Sequence, residues 1–75
     1  MCLGVPGKIV AITDPERQLG AVDIGGVRRE VNLSCVLEEG ERLQDLIGEW
    51  VVVHVGVALS RIDQEAALWL DALPE

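Results

Sequence analysis

Trp50-Val51-Val52-Val53-His54-Val55 is the densest β-branched run in the chain, and it sets the fold class. Two heavy atoms on the valine Cβ restrict its rotamers and suit it to the pleated surface of a sheet. Side chains alternate along a strand, so Val51, Val53 and Val55 share one face while Trp50, Val52 and His54 share the other. Both faces are largely apolar, which predicts a strand covered on each side. Gly56 marks a break or bulge, and residues 57–62 are expected to return as the next strand.

The same periodicity extends upstream. Lys8-Ile9-Val10-Ala11-Ile12-Thr13 alternates and is rich in β-branched residues, as a strand requires. Asp14-Pro15-Glu16-Arg17 follows as a turn, with proline suited to its second position. Residues 19–24 read as a second strand, and Gly25-Gly26 supplies the positive backbone angles of a tight hairpin. Residues 27–33 form the third strand, with Val27, Val31 and Leu33 on one face and Arg29 reaching to solvent along its stem. The acidic stretch 38–48 is expected to be a solvated connection; the alternative is a turn or short helix anchored by Leu43, Leu46 and Ile47.

Downstream, Ala66, Trp69, Leu70 and Leu73 fall at i, i+3, i+4 and i+7, the apolar stripe of a helix. Asp63 suits the N-cap of that helix, Ser60 offers an alternative start, and Pro74 fits its end. The expected fold is mainly β: a five-stranded, OB-like barrel with a C-terminal α-helix. It forms one domain, with the N-terminal segment and barrel over 1–62. The amphipathic helix over 63–75 is expected to lie on or beside the barrel.

Composition narrows the function. The chain has 75 residues, 49% of them hydrophobic, yet it lacks Phe and Tyr, so Val, Leu, Ile and Ala must build the core. Six basic against thirteen acidic residues give a net charge of −7. That charge repels phosphates and disfavours both nucleic acid and anionic membranes as partners. No run approaches the roughly 20 apolar residues that span a bilayer, and no basic-then-apolar leader opens the chain. A cytoplasmic protein that meets other proteins is expected.

Chemistry concentrates at the opening, Met1-Cys2-Leu3-Gly4-Val5-Pro6-Gly7. A small residue at position two permits removal of Met1, which would leave Cys2 with a free amine beside its thiol. The adjacent ammonium favours thiolate, the form that attacks electrophiles and binds soft metals. The plain alternative is a frayed terminus carrying an incidental cysteine. His54, the single histidine, reads either as a hydrogen-bonded core residue or as a metal-binding or proton-exchanging group facing the N-terminus. Cys35 stands beside Val36 and Leu37 and is expected to be a small buried hydrophobe. Trp50 and Trp69 read as packing residues, Trp69 also as an interface candidate. No CxxC pair, glycine-rich phosphate loop or activated serine occurs, so an independent enzyme is not expected.

The opening through Lys8-Ile9, together with Val53-His54-Val55-Gly56-Val57-Ala58-Leu59-Ser60, resembles the signatures of the HypC/HupF hydrogenase maturation chaperones. The resemblance runs over essentially the whole chain. It implies a protein that binds a HypD-type scaffold, on which iron acquires cyanide and carbon monoxide, and that binds the precursor of the [NiFe] hydrogenase large subunit. On this resemblance Cys2 matches the family's essential cysteine and His54 a histidine assisting at the same iron site. Leu3, Gly4, Val5, Pro6 and Gly7 join both as partner contacts. An alternative within the same resemblance is a module that never touches metal and only holds the precursor open.

Overall fold

The computed structural model describes residues 4–63. Five strands, β1 (Val5–Asp14), β2 (Leu19–Ile24), β3 (Val27–Asn32), β4 (Trp50–His54) and β5 (Val57–Ile62), close into a barrel in the order β1-β2-β3-β5-β4. All neighbours are antiparallel except β3 and β5, which run parallel and meet at Asn32↔Val57. The mainly β, five-stranded closed barrel is thus as expected. The helix over 63–75 lies outside the described residues apart from Asp63, which is not helical, and no α-helix occurs among the described residues.

Alternation accounts for the core. Ile9, Val22, Val31, Leu33, Val51 and Ala58 are fully buried or nearly so, with Val36, Leu46 and Val53 beside them. Val51 and Val53 point inward, whereas Trp50, Val52 and His54 are half-buried on the outer face. Burying aliphatic side chains of this kind stabilises by about 1.5–3 kcal/mol each relative to exposure. Gly25 and Gly26, at φ 61° and 88°, make the two-residue β2–β3 turn, and Asp23 Oδ1 accepts the Gly26 N–H at 2.8 Å.

Several expectations are corrected. Strand β1 begins at Val5 rather than Lys8 because Val5, Pro6 and Gly7 pair with Val53, Val52 and Val51. Proline is tolerated so near a strand start. Val27 is 51% exposed and does not join Val31 and Leu33 in the core, since it sits beside the β2–β3 turn. The acidic stretch is more than a solvated connection. It contains a single 3-10 turn, Leu43–Leu46, that inserts Leu46 fully into the core and leaves Ile47 exposed.

Cys35 is also corrected. It is exposed, not buried. The turn after β3 is closed by the Val36 N–H on the Leu33 carbonyl at 3.1 Å, so Leu33 and Val36 turn inward and the intervening Ser34 and Cys35 turn outward.

An ion-pair cluster ties the acidic loop to β5. Arg61 donates from Nη2 to Glu41 Oε1 and lies 3.8 Å from Glu49. The Arg61 hydrogen bond, joined by the Glu38 N–H, holds the Glu41 carboxyl below the ordinary carboxylate range. A carboxyl depressed in the folded state adds stability above its unfolded pKa, and that stability fades as pH falls through the folded value. Glu41→Gln is therefore expected to lower stability slightly in the neutral region and to meet the native curve at acid pH, so that the acid limb flattens. Parallel acid melts of the two proteins check this.

Candidate functional site

The site is assembled by the β1–β4 ladder. Val5↔Val53 is its last recorded pair toward the start of β1, and on β4 the next residue is His54. Gly4 lies against the same strand: a Cβ there would stand 2.2 Å from Val52 Cγ1, so a larger residue would push the chain off β4. Gly4 and Val5 therefore share one rim of the barrel with His54. Val5, Pro6 and Gly7 are built into this ladder, while Cys2 and Leu3 lie outside the described residues.

His54 ends β4, half-buried, opposite Val57 of β5. Antiparallel pairing with Val57 on the β5 side fixes its backbone, and the outward parity shared with Trp50 and Val52 turns its imidazole from the core. A half-buried imidazole at a barrel rim is placed for proton exchange or for ligation. Among the described residues no group of three or more His, Cys, Asp or Glu side chains is arranged to hold a metal ion.

The residue missed from the sequence is Val55. The valine alternation carries the expected strand through it, yet the chain leaves the ladder after His54. Val55 has φ 51° and Gly56 φ 76°, a pair of positive angles matching a type I′ turn. A β-branched residue rarely enters the left-handed region. Here it does so while 78% exposed, with no core contact in return. The signal was the Gly56 that follows it, in the place where Asn-Gly or Asp-Gly would normally announce a hairpin. Left-handed backbone costs an L-residue about 1–2 kcal/mol, and asparagine tolerates it best among non-glycine residues. Val55→Asn is thus expected to raise stability by about 1 kcal/mol in urea unfolding. An unchanged midpoint would show that the turn carries no such strain.

The fold and site define a small closed-barrel domain in which the β1–β4 ladder sets Val5 beside the strand end that carries the half-buried His54. The HupF/HypC family model matches residues 1–73, and the chain belongs to that family. It is 54% identical over 74 residues to hydrogenase maturation factor HypC of Rhodobacter capsulatus, covering 97% of this chain and 75% of the relative. It is 46% identical to hydrogenase maturation factor HybG of Escherichia coli K12, covering 97% and 88%. It is 45% identical to HypC of the same strain, covering 97% and 79%. These relatives are maturation factors by name. No helix among the described residues is long and apolar enough to cross a membrane.

Proposed function

We propose that this chain is a hydrogenase maturation chaperone that handles an iron cargo through Cys2. The cargo is iron bearing cyanide and carbon monoxide. It is acquired in complex with a HypD-type scaffold and passed to the [NiFe] hydrogenase large-subunit precursor in the cytoplasm. The observation that carries the reading is the Val5↔Val53 pairing, which leads the opening motif to the rim holding His54. Cys2 precedes Gly4 by two residues, so covalent geometry keeps their Cα atoms within about 7 Å.

The chemistry follows from one soft, terminal ligand. A thiolate with its own amine grips ferrous iron, while His54 exchanges a proton or completes the ligand set. Remaining ligands come from the partner, so the cargo is released when the partner changes. A closed four-ligand cage would hold too well for a carrier.

The test is anaerobic co-purification with the scaffold, read by infrared spectroscopy. Cyanide and carbonyl stretches are expected with the native chain and absent with Cys2→Ser. Bands that persist unchanged in the variant would reject iron handling by Cys2 and favour a chaperone that only holds the precursor open.

A further inference from the structure

Strand β3 pairs with β2 along its whole length, from Leu19↔Asn32 to Ile24↔Val27. The last pair closes a two-residue turn, so Val27, Arg29 and Val31 direct their main-chain groups at β2. Arg28, Glu30 and Asn32 direct theirs the other way. Asn32 verifies the alternation, since its N–H bonds the Gly56 carbonyl at 2.9 Å on the β5 side. Asn32↔Val57 is the single β3–β5 pair among the described residues. The N–H and C=O groups of Arg28 and Glu30 therefore lie on an edge that no described strand occupies.

Open strand edges are templates for a further strand, and natural barrels usually close or blunt them. Residues 27–30 are all exposed, with Val27 at 51%. Their charge stands out against the rest of the chain. Arg28 and Arg29 are two of only six basic residues in a chain of net charge −7. Neither forms an ion pair among the described residues, whereas Arg17 pairs with Asp14 and Arg61 with Glu41. The one acid on this edge, Glu30, is engaged by the Thr13 hydroxyl at 2.9 Å. Through Asn32 the edge abuts the Val55–Gly56 turn that follows His54.

We propose that the open β3 edge over 27–30 is a docking site for an extended, acidic segment of a partner protein. The segment adds as a sixth strand, bonding the outward N–H and C=O groups of Arg28 and Glu30, while Arg28 and Arg29 pair with its carboxylates. Main-chain bonds supply affinity in this mode and side chains supply selectivity. The site requires no iron and no cysteine, so it stands or falls separately from the cargo chemistry.

The experiment uses the full chain, isotopically labelled, and a blocked peptide of repeated Glu-Glu-Val-Val, whose adjacent glutamates present carboxylates on both strand faces, with a counterpart carrying lysine for glutamate. Amide signals of Arg28 and Glu30 are expected to shift and to gain exchange protection with the glutamate peptide only. The Arg29 amide, already bonded to β2, gains none. Arg28→Gln with Arg29→Gln is expected to weaken binding about fivefold, the order that two exposed ion pairs contribute. No response, or an equal response to both peptides, overturns the proposal. Shifts of the same amides on concentrating the free chain would assign the edge to a second copy and overturn it. So would deprotection of those amides on removing residues 64–75, which would assign it to the chain's own tail.

Discussion

Cys2→Ala is expected to reduce hydrogenase maturation to background while the barrel melts as before. Two separable reasons support the paired outcome. Cys2 lies ahead of the first ladder residue, Val5, so no strand pairing depends on its side chain. Substitutions away from packed features change stability by no more than about 0.5 kcal/mol. Its chemistry, in contrast, has no substitute at that end of the chain. Cys35, exposed in the turn after β3, is the matched control: it has the same thiol at a site remote in sequence from the opening motif. Cys35→Ala should leave maturation intact. Complementation of a deletion strain, scored by hydrogenase activity, separates the two. Full activity with Cys2→Ala would end the cargo reading. Mass spectrometry of the native protein adds a companion expectation, the loss of Met1, since retained methionine would block the amine.

Gly7→Ala is expected to lower stability by about 2–3 kcal/mol, the upper range of overpacking costs. A Cβ at this position would stand 2.4 Å from Val22 Cγ1, 3.0 Å from Ile24 Cγ1 and 3.2 Å from the Asp23 carbonyl oxygen. Val22 is fully buried and packed among other core residues, so it cannot yield by rotating into solvent. Either β1 lifts from β2 or the core deforms. A domain this small shifts its melting point by roughly 4–8 °C per kcal/mol, so a fall on the order of 10–20 °C follows. The glycine of the opening motif is therefore a packing requirement of the barrel. Thermal and urea melts check it, and a loss under about 0.5 kcal/mol would refute the steric account.

Most of the barrel was legible because period-two alternation reports directly on which residues face a core. The ranges 19–24 and 57–62 match β2 and β5 to the residue, and Gly25-Gly26 marks the β2–β3 hairpin. What escaped was decided by tertiary context. Val55 continues the alternation perfectly and is nonetheless a turn residue, because register with β5, not propensity, sets where β4 ends. Leu46 becomes a core plug only because the acidic loop folds back over the barrel. Cys35 was placed inside on the general habit of thiols, yet a single turn gave the interior to Leu33 and Val36 instead. At the candidate site, the motifs singled out Cys2 and His54, but only the β1–β4 register brings Val5 beside the end of β4 that carries a histidine some fifty positions away.

That register has a mechanical consequence. Only Leu3 and Gly4 stand between Cys2 and the first paired residue, a separation in sequence that caps how far the sulfur can reach from β1. Local concentration at the end of a flexible linker falls roughly as the −3/2 power of its length. Spacer residues inserted between Gly4 and Val5 would accordingly lengthen that reach and dilute the thiol around the start of β1.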